Sequence, residues 1–503
     1  MIKTADLLRV AAFVAVLVGV IAVNGLTGTA QQAYGWTPQQ TIPDYHPETE
    51  PPCLVVDQNH TVHAFSSQWL IEDEGQSVMA ILYNQWTLKR GWTVPVDIML
   101  SPVKEARILG AFLDQRGIMH MIFYGGDNTV GDIYYARAPA VDAGQAPAWS
   151  TPVLVGESAN DPSVAALSGD DKGNLVIVYS GKQDGWGLYT LYSADGGETW
   201  TEPVPMFLTY AELFPLVLKL SRGESGVIHA VWDVRDLGGN GRRINYAGLS
   251  LDDRQWTEPV TLAEAETGYG VLLPTVVEHG DEVIVAYSGV TMRSSKDGGK
   301  TWTAPANPFR QVGVNGTMSF VVDSNDDLHF LWAQRITASP DIHGVWHSVW
   351  LDGQWTEPEA VVSGVRVSDA SGYGSFDPYE VRAVVSRGNV ILVTWRTDPG
   401  PQSRANGVWY SYVVLEAPQL PQVLLPAALT MPESTLTPTV PLPVHTQTPP
   451  PGLVKTDEGD ALAGTALLNG TAFLSNPALA LALGLVPVVL LIGVIMIKQS
   501  LRS

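Results

Sequence analysis

A single cysteine, Cys53, stands in a chain of 503 residues. One thiol cannot close an intrachain disulfide or build a thiolate metal centre, so the fold must rest on its apolar core. Cys53 opens the run C-L-V-V, the setting of a buried thiol. Basic residues are scarce as well: 29 Lys and Arg oppose 51 Asp and Glu, a formal net charge of −22. That balance repels phosphate backbones and excludes a nucleic-acid partner. Charged residues reach only 16%, whereas hydrophobic residues reach 45%. A chain of that composition buries a sizeable core and is not disordered throughout.

Long apolar runs are absent except at the two ends. Near the start, Lys3 and Arg9 precede an apolar stretch that closes on the small residues G-L-T-G-T-A. Residues 1–30 therefore read as a signal peptide cleaved near Ala30 or as an uncleaved anchor. Residues 477–497 carry no charge and form, as a helix, a rod of about 30 Å that spans a bilayer. Lys498 and Arg502 follow this span, while Asp457, Glu458 and Asp460 precede it. The positive-inside tendency then puts 498–503 in the cytoplasm as a short tail and the rest of the chain outside the cell membrane. Residues 417–476 are rich in Pro and Thr, which favours an extended stalk without a packed core. The folded part is confined to about residues 35–416.

Within that part a long repeat is visible through the ending W-[ST]-x-P or a near variant, at Trp36, Trp92, Trp149, Trp200, Trp256, Trp302 and Trp355. The spacing suits one four-stranded propeller blade per repeat. Turns such as D-Q-N-H, D-Q-R-G, D-D-K-G and D-S-N-D each lead into an apolar strand. Trp36 has the ending but no strands before it, whereas residues 381–415 have the strands but no ending. If the N-terminal strand completes the last blade, the ring closes and its exposed edge disappears. The expectation is an all-β propeller of seven blades, or six if one divergent strand set is an insertion.

Two octets punctuate the repeat: S-A-D-G-G-E-T-W at 193–200 and S-K-D-G-G-K-T-W at 295–302. Their Ser and Asp can accept backbone N–H bonds in a tight turn, their glycines supply positive φ, and the closing Trp anchors a new strand. These octets resemble the Asp-box (bacterial neuraminidase repeat) of sialidases and related β-propellers, with L-D-D-R-Q-W and L-D-G-Q-W as worn versions. The resemblance spans roughly residues 36–416. It implies that Ser193, Asp195, Gly197, Thr199 and Trp200, with Ser295, Asp297, Gly299, Thr301 and Trp302, are structural turn residues on the rim opposite an active site. It also implies three arginines clamping a sugar carboxylate, a tyrosine nucleophile activated by a glutamate, and an aspartate as acid or base. The F-R-I-P or Y-R-I-P motif of the first arginine is absent; its nearest echoes are E-A-R-I-L at Arg107 and Y-E-V-R-A at Arg382.

Loops that cross between blades or join second to third strands should build the chemistry-bearing rim. Arg235, Arg335 and Arg396 fall just past equivalent second strands and can converge on an acidic ligand. The crossing loop contributes Asp377, Tyr379 and Glu380 as candidates for acid–base work, with Tyr373 and Phe376 suited to stacking on a sugar. His63, His120, His229 and His329 recur at one place in successive repeats, so the ring spreads them apart and core or interblade roles follow. D-S-N-D-D at Asp323 has a faint calcium-loop look but lacks the downstream glutamate. No metal and no cofactor is expected. The partners expected are the membrane and a glycan or glycoprotein ligand. The missing arginine motif favours a propeller that binds glycan or protein at one rim; the alternative is an active exo-sialidase-type glycoside hydrolase using an arginine cluster with Tyr/Glu and Asp.

Overall fold

The computed structural model describes residues 34–71, 77–101, 104–126, 131–158, 164–210, 212–309, 315–334, 344–363, 378–397 and 407–424. These form seven antiparallel sheets, the blades of a β-propeller. Blade 1 runs through Cys53–Val56, Val62–Ile71, Ser77–Thr87 and Val96–Leu100. The first strands of blades 2 to 7 are Glu105–Leu113, Ala165–Gly169, Leu213–Arg222, Thr275–His279, Asn315–Val322 and Pro378–Ser386. Each first strand touches those of its two neighbours, and that of blade 7 returns to that of blade 1, so the seven encircle an axis.

Second strands are apolar without alternation because both of their faces are covered by adjoining blades: every residue of Leu175–Gly181 and of Leu328–Gln334 is buried. The cores accordingly lie between blades. Phe65, Ile81 and Tyr83 of blade 1 pack on Ala106, Met121 and Phe123 of blade 2. First strands are half-buried by contrast, as in Cys53–Val56, because one face looks onto the axis.

The ring closes with the N-terminal segment. Gln40 and Thr41 pair antiparallel with Tyr410 and Trp409, and Thr37 N–H donates to Tyr412 O at 3.0 Å. Ile42, 2% exposed, then sits with Val62, Trp86, Val390 and Leu392 in the seam between blades 1 and 7. Blade 5 departs from four strands: only Thr275–His279, Glu282–Tyr287 and Thr291–Ser295 form a ladder, with the outer position reduced to a bridge between Met292 and Ala306. Pro305 and Pro308 flank that bridge, and neither can donate to a ladder.

The repeated histidines stitch strands within blades. His63, His120 and His229 bond through Nδ1 to the hydroxyls of Tyr83, Tyr135 and Tyr246 at 2.7, 2.7 and 2.8 Å. In blade 6 the tyrosine position holds His347, whose Nε2 lies 2.9 Å from His329 Nδ1. Asp323 closes its turn by accepting the N–H groups of Asn325 and Asp327. Among the described residues no helix is long and apolar enough to cross a membrane, and no group of three or more His, Cys, Asp or Glu could hold a metal ion. Residues 1–30 and 477–497, and the stalk beyond residue 424, lie outside the described residues.

Candidate functional site

The two octets lie in the turns between third and fourth strands of blades 3 and 5. In the first, Asp195 accepts from Thr199 N–H at 3.0 Å, from Thr199 Oγ1 at 2.6 Å and from Ser193 Oγ at 2.8 Å. Ser193 Oγ in turn accepts Gly197 N–H at 2.8 Å. The second octet repeats this set through Asp297, Thr301, Ser295 and Gly299. These hydrogen bonds hold the Asp297 carboxyl well below the usual carboxylate range, with those from Thr301 foremost. Gly197 (φ +84) passes so close to Tyr135 that a Cβ would meet its hydroxyl at 1.8 Å. Trp200 and Trp302 then lie edge-on to Tyr135 and Tyr246 of the preceding blades, with ring centroids 5.0 and 4.9 Å apart. The Ser, Asp and Thr side-chain oxygens of each octet are thus engaged within the turn, which fits them for holding the corner and not for chemistry.

The opposite end of the axis is different. First strands start there and second strands end there, so Glu50, Glu105, Arg107, Tyr379, Glu380, Arg382 and Arg396 come to one mouth. Arg107 bonds Glu50 at 3.0 Å and Glu105 at 3.5 Å. Arg396 bonds Glu380 at 3.1 Å and lies over the Tyr379 ring, 6.0 Å from its centroid. Arg382 reaches down to Cys53 Sγ at 3.2 Å, so this thiol is half-buried on the axial wall and not the core thiol expected from its apolar run. From across the axis Lys219 of blade 4 extends inward. Its side chain meets channel solvent but is surrounded by protein, and burial, reinforced by the charge of Arg382, pulls its ammonium pKa down. Burial likewise pushes the Glu50 carboxyl up, against the opposing pull of Arg107.

The backbone at this mouth is strained. The first strand of blade 7 bulges between Tyr379 and Arg382, which leaves Glu380 at φ +50. Blades 4 and 6 bulge at the corresponding place, between Pro215 and Leu218 and between Asn315 and Met318, without a non-glycine residue at positive φ there. A left-handed glutamate costs of order 1 kcal/mol or more, and such outliers cluster at functional sites.

Of the two described arginines among those expected to converge, Arg396 joins this group. Arg235 is spent on Asp233, 2.8 Å away, a buried carboxylate that also accepts Val217 N–H and Leu273 N–H. Arg335 and Asp377, with Tyr373 and Phe376, lie outside the described residues. The weaker sequence echoes, Arg107 and Arg382, take the places beside Arg396. Glu50 and Lys219 had no place in the sequence reading; a lone lysine amid L-V-L-K-L is the one signal that pointed to the second.

The class these observations define is a seven-bladed β-propeller with a mixed-charge mouth at one end of its axis. Neither the profiles of known protein families nor the curated proteins match this chain. Solved structures resemble it in fold alone. An ulvan lyase of a polysaccharide lyase family shares 11% identity over 76% of this chain and 96% of its own, with TM-score 0.49. A protein of unknown function from Dyadobacter fermentans shares 13% over 76% and 98%, with TM-score 0.44. The intramolecular trans-sialidase from Ruminococcus gnavus shares 11% over 77% and 98%, with TM-score 0.38.

Proposed function

We propose that this propeller binds a carboxylate-bearing saccharide at the axial mouth built by Arg107, Arg382 and Arg396. The observation that carries the reading is the gathering of these three guanidiniums with Lys219 around the axis, in a chain whose net charge is −22. Arg396 Nε is buried and has no partner among the described residues, so a donor remains to be satisfied. A planar carboxylate matches such forked donors, and Tyr379 offers a ring face to a sugar. The octets, read as Asp-box turns, support placing the ligand at this end and not at theirs. With residues 1–30 as export signal or anchor and 477–497 as a span, the propeller stands outside the cell membrane on its stalk.

The test is calorimetric titration of the purified chain with N-acetylneuraminic acid, glucuronic acid and their methyl esters. Binding of the acids with at least tenfold weaker binding of the esters is expected, lost in Arg382→Ala. Equal affinity for acid and ester would sink the reading. Hydrolysis is a second reading, favoured by the strained Glu380 next to Tyr379 and by the raised Glu50 carboxyl, which suits a proton donor. Turnover of a fluorogenic sialoside that vanishes in Tyr379→Phe would establish it.

A further inference from the structure

The turn face carries a second site, far from the mouth. A cavity of about 690 Å³ opens between blades 1 and 7 and is walled by the strap of residues 419–424. That strap is pinned where it crosses: Leu420 N–H donates to Arg387 O at 2.8 Å and Val423 N–H to Gln58 O at 2.9 Å. Lys89, Arg90, Arg387 and His60 line the cavity. Its one carboxylate, Asp57, is occupied by Thr61 N–H at 2.7 Å and His63 Nε2 at 3.2 Å.

The repeat itself marks these residues as departures. In turns joining first to second strands, the closing position needs a left-handed backbone, and Gly117 (φ +80), Gly173 (φ +89) and Gly226 (φ +83) supply it. Blade 6 places Asp326 there at φ +66, and blade 1 places the bulkier, ring-bearing His60 there at φ +70. In blade 7 the turn Ser386–Asn389 holds Arg387 at φ +63, where Asn or Gly fits without strain. Ser386 Oγ donates to His60 O at 2.9 Å, which fixes the two strained residues side by side. The third-to-fourth-strand turn of blade 1 reads T-L-K-R-G-W, so Lys89 and Arg90 stand where the octets of blades 3 and 5 have their self-bonded aspartate. His60 Nε2 and Arg387 Nε are buried with no partner among the described residues, and Lys89, Arg90 and Arg387 form no ion pair there.

Among the described residues, three cations without an ion pair and two buried nitrogens without a partner gather in this cavity, where Arg387 Nη2 donates only to the neutral Gln419 Oε1. We propose that this cavity binds a tetrahedral oxyanion ester, a sulfate or phosphate carried by a sugar or a lipid headgroup. Cations approach from two separate turns and the His60 ring from a third, an arrangement that suits a multiply charged anion with donors on several sides. The volume admits a group of about disaccharide size. The proposal does not depend on the mouth, because no residue is shared.

The test uses the purified full chain with four probes: inorganic sulfate, inorganic phosphate, a heparin-derived tetrasaccharide, and vesicles containing phosphatidic acid against neutral vesicles. Binding of at least one ester probe is expected, with the tetrasaccharide and the vesicles distinguishing a sugar from a lipid source. Lys89→Glu/Arg90→Glu, both exposed, should weaken it at least tenfold. His60→Gly and Arg387→Asn should do the same without lowering the melting temperature, since each restores the residue type the turn prefers. Absence of binding by every probe would overturn the proposal. So would unchanged affinity in the charge-reversed variant, or a fall in melting temperature in both turn variants, because the residues would then serve the fold. Binding of acidic monosaccharides at the mouth is measured separately with Arg382→Ala, which should leave these four probes unaffected.

Discussion

The two ends of the axis use the same side-chain types to opposite effect. At the octet turns Asp195 and Asp297 exhaust their oxygens on hydroxyls and N–H groups within four residues. At the mouth, Glu50 pairs with Arg107 and Glu380 with Arg396, and it is the ring that brings these two pairs, from the first two blades and the last, to one place. Local satisfaction makes a rigid corner, whereas long-range opposition leaves charge available to a ligand. Mutations that cost fold and mutations that cost binding should therefore separate by face.

Ring closure is where the fold should prove most vulnerable. Deleting residues 35–42 removes the pairing with Tyr410 and Trp409 and exposes Val390, Leu392 and Trp86 in the seam left by Ile42. One buried isoleucine and about four backbone hydrogen bonds amount to about 5 kcal/mol. Denaturant unfolding should show that loss, and an unchanged midpoint would mean that blade 7 does not need its borrowed strand. Trp200→Ala comes next. The ring is half-buried against Tyr135, so a loss of about 3 kcal/mol is expected, with ligand binding at the mouth intact wherever the variant is folded.

The histidine of blade 6 tests the interior between the faces by pH. Burial, with the charge of His329 in support, pulls His347 down to about 4 against the pull of Glu359. The folded pKa lies below the unfolded value, so the unfolded chain takes up its proton first as pH falls. Stability is full above about pH 6.5, declines as pH falls toward 4, and levels off below that, a span of about 3 kcal/mol at most. Blades 1, 2 and 4 carry Tyr83, Tyr135 and Tyr246 at this position, and His347→Tyr should flatten the decline in chemical unfolding at pH 7 and pH 4.5. An unaltered slope would assign the acid sensitivity to other groups.

Much of the ring was legible because its signals are local and repeated. W-[ST]-x-P endings recur once per blade and Asp-led turns in four of the seven, and Trp36, an ending without strands, pointed to the closing segment. The mouth was harder to read. Most of its residues sit on first strands, where Arg107 or Lys219 looks like any polar residue on a half-buried face, and only the ring brings Glu50 of blade 1 near Arg396 of blade 7. The ion pair of Arg235 with Asp233 had a local signal: in D-V-R the acid and the arginine lie two apart on one face of a strand. Blade 5 lost its fourth strand to prolines already visible in W-T-A-P-A-N-P.

Asp195→Ala deletes the acceptor for Thr199 N–H and Thr199 Oγ1, as loss of a helix cap would, and should cost about 1 to 2 kcal/mol. Binding at the mouth should be unchanged. Loss of binding in a normally melting Asp195→Ala protein would end the separation of the two faces.

The smallest effect on the fold, and the sharpest comparison, is expected from Arg396→Ala. Its side chain and that of its partner Glu380 are 31% and 25% exposed, so their bond at 3.1 Å is screened by channel water. Such pairs contribute about 1 kcal/mol or less to stability. The guanidinium also covers the Tyr379 ring, but that contact is long, and Trp395 beside it in the same strand stays fully buried whatever occupies position 396. Unfolding should therefore shift by no more than about 1 kcal/mol. Removing one of three guanidiniums around a bound carboxylate should instead weaken binding by about 2 kcal/mol or more, because the ligand loses a charged, forked donor that no other group replaces. Lysine at this position keeps the charge but not the fork, so Arg396→Lys should recover only part of the affinity. Full recovery by lysine would mean that the mouth acts through net charge alone, and a large fall in stability for either variant would mean that this arginine belongs, like the octets, to the fold.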